Sequence, residues 1–362
     1  MNAISEVPND LHGFIAPILL PDLEVSWVGP TAVEGVLCFG SEDGRIRFAD
    51  IHGKTLGGMR SAVRSGEAVN GVAFINSWMM VSSRDEAILW TLPTHTTGQT
   101  MVAPVPLGAH GVIASESGYF FAPLGINGFL FCHPQSGEVQ SFNISSGPSN
   151  TLCFYRMISY RAANGQEVIA SALRRGGLGV MEFNGEGHRH VLNTQSFSGL
   201  DVVDVCSVQF QGVPGIAAIG KDRTLILLKG KNLEPTTIRY EAIEGVAYRI
   251  LCARNYLFVL TSKALYVIQD LISDVVAGQS HNTMTNVMTL AMEAVDASLV
   301  GDRWLFIVLP DEVLRLDVSL LQFIPSAEDA ISNVSTMRMN KLDPHWEGQK
   351  VEMEVRQSPL AA

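Results

Sequence analysis

A short apolar strand that follows a charged tight turn returns at Ile46, Ile88, Leu130, Val180, Leu225, Leu265 and Leu314. The intervals are 42, 42, 50, 45, 40 and 49 residues along a chain of 362. Each return closes the same unit: strand, turn, strand, tight turn, strand. A unit this small cannot bury its hydrophobic face alone, so it must stack on copies of itself. Length would suggest two or three domains, but an even repeat over residues 1–324 argues for one continuous object.

The units read clearly. The first has strands at Leu23 to Val28, Gly35 to Gly40 and Arg45 to Asp50, with Ser41-Glu42-Asp43-Gly44 between the last two. Its Asp-Gly pair supplies the positive φ angles of a tight hairpin. The second repeats this around Arg84-Asp85-Glu86, the third around Gly125-Ile126-Asn127-Gly128 and the fourth around Arg174-Arg175-Gly176-Gly177. The fifth turns at Gly220-Lys221-Asp222-Arg223, the sixth at Ser262-Lys263 and the last at Asp311-Glu312. Short strands at a period in the forties predict an all-β, seven-bladed β-propeller with four-stranded antiparallel blades. A ring must be sealed, because an open stack leaves two bare sheet edges. Phe14 to Leu20, set off by Pro21-Asp22, is the N-terminal strand expected to seal it, and Ser319 to Ile324 competes for that place.

At Ser41-Glu42-Asp43-Gly44-Arg45-Ile46-Arg47-Phe48 and Ser82-Ser83-Arg84-Asp85-Glu86-Ala87-Ile88-Leu89-Trp90 the chain resembles the WD40 repeat family. Gly220-Lys221-Asp222-Arg223-Thr224-Leu225 is similar to a lesser degree. The family's Gly-His pair is missing, with Gly108-Ala109-His110 the nearest approach, and so is its closing Trp-Asp. The resemblance is to a divergent WD40-like propeller, and it implies a rigid platform for other proteins.

Composition narrows the partners. With 25 basic and 36 acidic residues the net charge is −11, which repels a nucleic-acid backbone at long range. No segment approaches the roughly 18 apolar residues of a membrane span. Phe14 to Leu20 is short and lacks a basic segment before it, so it fails as a signal peptide. The five cysteines, Cys38, Cys132, Cys153, Cys206 and Cys252, are scattered through strands without a C-x-x-C pair. A reducing, cytoplasmic setting follows as the expectation.

Two segments break the repeat. In 271–292, Met284, Val287, Met288 and Ala291 recur at helical spacing and Met292 extends the stripe. The plain reading is a short helix or strand covering the propeller's side; the functional one is a Met-rich docking surface. The tail, 325–362, is polar, has one aromatic, Trp346, and reads as a mobile extension or an arm that orders on a partner.

Catalytic motifs are absent. There is no G-x-S-x-G, G-x-x-x-x-G-K-[ST] or H-E-x-x-H, and Gly176-Gly177-Leu178-Gly179 serves a hairpin. Glu42-Asp43, Asp85-Glu86 and Asp311-Glu312 read as solvated turn pairs. His188 and His190 share a strand face, but two ligands are too few for zinc. Cys153, Cys206 and Cys252 fall on inner strands of consecutive units, where a small apolar residue suits the crowded axis. No cofactor or metal is expected. What remains is a rim of Arg45, Arg84, Arg174, Arg175, Lys221, Arg223 and Lys263, interleaved with acids. Arg174-Arg175 is the pair expected to anchor an acidic partner segment, since arginine presents planar, bidentate donors. The residues expected to bind partners are therefore Arg84, Arg174, Arg175, Lys221, Arg223, Met284, Met288, Met292 and Trp346. The leading function is a non-enzymatic protein–protein interaction module, a scaffold or regulatory subunit. The alternative is a propeller hydrolase or lyase, or a small-ligand sensor, with its site at the central channel.

Overall fold

The computed structural model describes residues 4–6, 15–18, 20, 22–91, 111–142, 153–190, 201–268, 284–290 and 293–323, apart from scattered single positions and turns inside those ranges. The described residues form seven small sheets. Two strands come first, β1 (Ile4–Glu6) and β2 (Ile15–Ile18). Sheet 1 holds β3 (Val25–Pro30), β4 (Val36–Ser41), β5 (Ile46–Asp50) and β6 (Thr55–Met59); sheet 2 holds β7 (Gly71–Ile75), β8 (Trp78–Ser82) and β9 (Ala87–Thr91). Sheet 3 holds β10 (Ile113–Ala114), β11 (Phe120–Pro123), β12 (Phe129–His133) and β13 (Glu138–Phe142). Sheet 4 holds β14 (Cys153–Arg161), β15 (Glu167–Arg174), β16 (Gly177–Phe183) and β17 (His188–His190). Sheet 5 holds β18 (Val202–Phe210), β19 (Val213–Gly220), β20 (Thr224–Lys229) and β21 (Glu234–Arg239). Sheet 6 holds β22 (Ala247–Ala253), β23 (Tyr256–Thr261), β24 (Ala264–Ile268) and β25 (Met284–Thr289); sheet 7 holds β26 (Asp296–Val300), β27 (Trp304–Val308) and β28 (Val313–Asp317).

From β3 to β28 the strands of each sheet follow chain order and pair antiparallel, as tight hairpins require. Among the described residues two sheets differ from the four-stranded expectation. Sheet 2 shows three strands, because the segment that would supply a fourth falls in 92–110, outside the described residues. Sheet 6 has five, since β1 adds to the edge of β25 in parallel, Ile4 facing Met284 and Glu6 facing Asn286. The segment around Met284 and Met288 is a strand, one of the two forms expected there. Leu265 faces Met288 and Tyr266 faces Asn286, so Val287 is an extra residue in a bulge. That insertion accounts for the irregular spacing that mimics a helical period.

Both candidates for the outer place on sheet 7 are described. β2 takes it, pairing antiparallel with β28 from Ile15–Leu316 to Ile18–Val313. Val318–Phe323 instead forms a 3-10 helix, started by Asp317, whose Oδ1 accepts from the Ser319 amide at 3.0 Å. The tail beyond, with Trp346, lies outside the described residues.

The core is divided among the sheets. Seven apolar clusters each belong to two consecutive sheets: Met79 of sheet 2 packs with Cys38 of sheet 1, Phe121 of sheet 3 with Ile169 of sheet 4, and Leu257 of sheet 6 with Phe210 of sheet 5. The seventh cluster joins Phe306 and Val308 of sheet 7 to Val28 and Phe39 of sheet 1. The first strands also pack on one another in turn, β14 on β18, β18 on β22, β22 on β26 and β26 on β3. Some contacts allow no side chain at all. A Cβ on Gly71 would come within 2.4 Å of the Gly111 Cα, where sheets 2 and 3 meet backbone to backbone.

Register sets which end of each sheet carries which loops. The last residue of the second strand faces the start of the first: Ser41 faces Val25, Ser82 faces Gly71, Arg174 faces Cys153, Gly220 faces Val202 and Thr261 faces Ala247. The turn between second and third strands therefore lies beside the opening of the first strand. Glu42 N donates to Glu24 O at 2.9 Å, Lys221 N to Asp201 O at 2.9 Å and Ser262 N to Val246 O at 3.0 Å. Neighbouring sheets are tied at the same end, by Val69 N to Ser41 O at 3.0 Å and Phe154 N to Gly125 O at 3.0 Å.

Candidate functional site

Just inside that end, four charged side chains on four consecutive first strands meet. Arg156 comes from β14, Asp204 from β18, Arg249 from β22 and Asp296 from β26. Local backbone geometry places them. β14, β18 and β22 each slip register near their start, between Phe154 and Arg156, Val202 and Asp204, and Ala247 and Arg249. A bulge bends the strand and re-aims the side chain that follows it, and in all three cases that side chain is the charged one. Asp296 opens its strand without a bulge.

The four form a closed circuit of alternating sign. Arg249 Nη1 lies 3.2 Å from Asp204 Oδ2 and Nε lies 3.1 Å from Asp296 Oδ1. Arg156 Nη2 lies 3.3 Å from Asp296 Oδ1 and its Nε 3.9 Å from Asp204 Oδ1. Sheets 4 and 7 are not consecutive, so the Arg156–Asp296 contact spans the space the first strands enclose. Asp204 Oδ2 also accepts the Ile250 amide at 2.8 Å, and Arg249 Nε and Nη2 donate to the Ala297 carbonyl.

Burial makes this circuit consequential. The side chains are 2% (Asp204), 5% (Asp296), 13% (Arg249) and 20% (Arg156) exposed. An isolated charge so placed would cost several kcal/mol, and pairing offsets this only with good geometry and further hydrogen bonds. Two arginines and two aspartates sum to zero. Burial works to lower the Arg249 pKa, but Asp204 and Asp296 outweigh it and hold the guanidinium charged.

The sequence carried a signal for this circuit that the motif reading missed. Tyr155-Arg156-Met157, Val203-Asp204-Val205, Tyr248-Arg249-Ile250 and Val295-Asp296-Ala297 each hold one charge in an apolar strand. The charges alternate in sign at intervals of 48, 45 and 47 residues. Position within the repeat, and not a local motif, marks the site.

The rim residues expected from sequence divide by what they touch. Arg45 is held by Asp43, its Nε 2.6 Å from Oδ2, and Lys263 lies 3.6 Å from Glu244. Asp43 in turn is drawn below the usual carboxylate range by hydrogen bonds from Arg45 and Ser41. Arg223 sits at φ 71° and its Nη1 donates to Ile243 O at 2.7 Å, stapling the turn to the next sheet. Arg84 and Lys221 are exposed in their turns and form no ion pair among the described residues. Arg174 ends β15 opposite Cys153; Arg175, Met292 and Trp346 lie outside the described residues. On β25, Met288 faces Leu265 beside the Ser262-Lys263 turn, and Met284 faces Ile268 at the other end of the strand.

Other candidate chemistry stays apart. His188 and His190 lie on β17, facing Phe183 and Met181, and the His133 ring stacks edge-on with Tyr119, centroids 5.0 Å apart. Cys206 and Cys252 share a cluster between sheets 5 and 6, and burial pushes the Cys252 thiol up to about 11. No group of three or more His, Cys, Asp or Glu is arranged to hold a metal among the described residues.

Comparison with solved structures finds the same architecture. The chain superposes on the β-propeller domain of Cps50 (Swd1) from Myceliophteria thermophila with a TM-score of 0.61 at 11% identity, covering 84% of this chain and 99% of that one. The RRP9 WD40 repeats give 0.62 at 10% identity, covering 84% and 98%, and U3-55K gives 0.62 at 10%, covering 85% and 99%. No family model matches the chain, and no curated protein is similar to it in sequence. The chain has the fold of a WD40-type β-propeller. Fold at this level of identity carries no function with it.

Proposed function

We propose that the chain is a non-enzymatic protein-interaction module, a seven-bladed propeller closed by β2, which holds an acidic segment of a protein partner on the end bearing the second-to-third-strand turns. Closure is supported by the seven shared apolar clusters, the last joining sheet 7 to sheet 1, and by the antiparallel pairing of β2 with β28. The observation that carries the role is the charge circuit beneath that end. Its charges balance one another and it offers hydrogen-bond donors, but no hydroxyl, thiol or imidazole that could act as a nucleophile. Such a group suits recognition, and the exposed turns above it supply the contact area. Arg174-Arg175-Gly176-Gly177 is the turn with two bases and no acid, which makes sheet 4 the anchoring side. A membrane or a nucleic acid is not part of this reading, and the chain works in the cytoplasm.

The test is co-purification from native lysate with wild type, Arg174→Glu/Arg175→Glu, and Lys54→Glu, an exposed change at the opposite end of sheet 1. A stoichiometric protein kept by wild type and Lys54→Glu but lost by the double reversal supports the module. Equal retention by all three contradicts it.

A further inference from the structure

Two cysteines meet at the seam of sheets 5 and 6, one step along from the charge circuit. Beyond the bulge at its start, β18 turns Cys206, Val208 and Phe210 into the cluster shared with sheet 6, while Val205 enters the one shared with sheet 4. β22 turns Ile250 and Cys252 into that same cluster, while Leu251 and Ala253 face sheet 7. Alternate residues of a strand take opposite faces, so each cysteine is aimed at the other's strand. A hydrogen bond sets their level: Asp204 Oδ2 accepts the Ile250 amide at 2.8 Å. Both strands start at the turn end and run the same way, so two residues on from this bond Cys206 comes beside Cys252. The thiols feel one another: burial first, and then Cys252, raise the Cys206 thiol well above its ordinary value. Access separates them. Cys206 is 8% exposed, whereas Cys252 is only partly buried. Cys38 and Cys132 belong to clusters between other sheets.

We propose that Cys206 and Cys252 are an oxidation site, at which a hydroperoxide converts the facing thiols into a disulfide that staples sheet 5 to sheet 6. The idea is independent of the interaction-module reading. The partly exposed sulfur reacts first. The Cys252 sulfur attacks a peroxide oxygen, an S–O bond forms, the O–O bond breaks, and the leaving oxygen departs as water with the thiol proton. Cys206 then attacks the sulfur of this sulfenic acid, an S–S bond forms, and the S–O oxygen leaves as a second water. The pair loses two electrons and two protons, and one hydrogen peroxide becomes two waters. Cys206 never has to meet solvent, because the group it resolves is brought to it. Burial pushes the Cys252 thiol up to about 11, so thiolate is scarce at neutral pH and the reaction is slow. The site therefore answers to sustained oxidant and stays reduced otherwise.

The purified, reduced full chain is incubated with hydrogen peroxide at about pH 8, where a trace of thiolate is present. It is then quenched with catalase, alkylated in urea and digested with trypsin without reductant. Cleavage after Arg189, Lys221, Arg249 and Arg254 puts Cys206 in the peptide 190–221 and Cys252 in 250–254, each with no other cysteine. Wild type should yield these two peptides joined, two hydrogens lighter than their sum. The melting temperature should rise by about 4 °C and return on adding dithiothreitol. Cys252→Ser should give no joined peptide and leave Cys206 a free thiol. In Cys206→Ser, Cys252 has nothing to resolve it and should run on to the sulfinic acid, with no rise in melting temperature. Should either variant fold poorly, the wild-type digest decides alone. Cys252 oxidised to sulfinic acid in wild type without the joined peptide, Cys252 joined to any other cysteine, or Cys252 left unoxidised overturns the proposal.

Discussion

Replacing Asp204 tests whether the circuit is a buried network or a set of screened contacts. Its side chain is 2% exposed and serves Arg249 at 3.2 Å, the Ile250 amide at 2.8 Å and, more distantly, Arg156 at 3.9 Å. Asp204→Ala removes one of two negative charges between two arginines and leaves a net positive charge in a region that water barely reaches. Breaking a buried pair from one side typically costs about 3–5 kcal/mol. Asp204→Asn keeps an oxygen for the Ile250 amide and loses only the charge, so it should fall at or below the low end of that range. Arg249→Ala removes the other partner and should cost a similar amount. The double variant restores balance and should cost less than the sum of the singles by about 2 kcal/mol or more. Urea unfolding followed by tryptophan fluorescence gives the values, with far-UV circular dichroism confirming that each variant starts folded. Single costs below about 1 kcal/mol with an additive double would mean solvent-screened charges, and the reasoning about the site would fail.

Other consequences are as direct. Gly71→Ala pushes a methyl group to 2.4 Å from the Gly111 backbone, so it should destabilise by about 1–3 kcal/mol in the same urea assay. Cys38, Cys132 and Cys206 are buried and their thiols are pushed up by desolvation, Cys132 to about 11. Peptide mapping after alkylation at pH 8 should find these three protected in the native chain and labelled in urea. Burial raises the Asp317 carboxyl, but hydrogen bonds from Arg303 and Ser319 outweigh this and leave it below the usual range. The stabilisation it gives is therefore full above about pH 4, its unfolded value, and fades as pH falls through the lower folded one. Wild type should exceed Asp317→Asn by about 0.5–1 kcal/mol at pH 7, a modest gain because Arg303 is 59% exposed, and the gap should close on acidification.

Much of the fold was legible because repetition amplifies weak signals. One short apolar segment such as Val36–Ser41 is ambiguous alone, but seven at a similar spacing, each with its own turn, leave few architectures. The turn at Asp43-Gly44 was readable because positive φ, here 78° at Gly44, is a local demand that few residues meet, whereas Arg223 adopts 71° with no residue-type signal for it. The stripe from Met284 left helix and strand both open, because a bulge shifts side-chain parity and gives a strand a helix-like spacing. The added strand β1 was not legible, since Ile4–Glu6 is three residues long and its pairing depends on an edge some 280 positions away in sequence. Arg156, Asp204, Arg249 and Asp296 went unnoticed for a similar reason. Each is an unremarkable charge in its own strand, and they become a site only when the strands are laid side by side.

Chemical cross-linking of the partner complex, read by mass spectrometry, tests the central claim most directly. Lys221 and Lys263 lie on the turn end, whereas Lys54 lies at the other end of sheet 1, beside the turn joining β5 to β6. Links to the partner through Lys221 and Lys263, with none through Lys54, are the predicted result. Links through Lys54 with Lys221 and Lys263 untouched would contradict it.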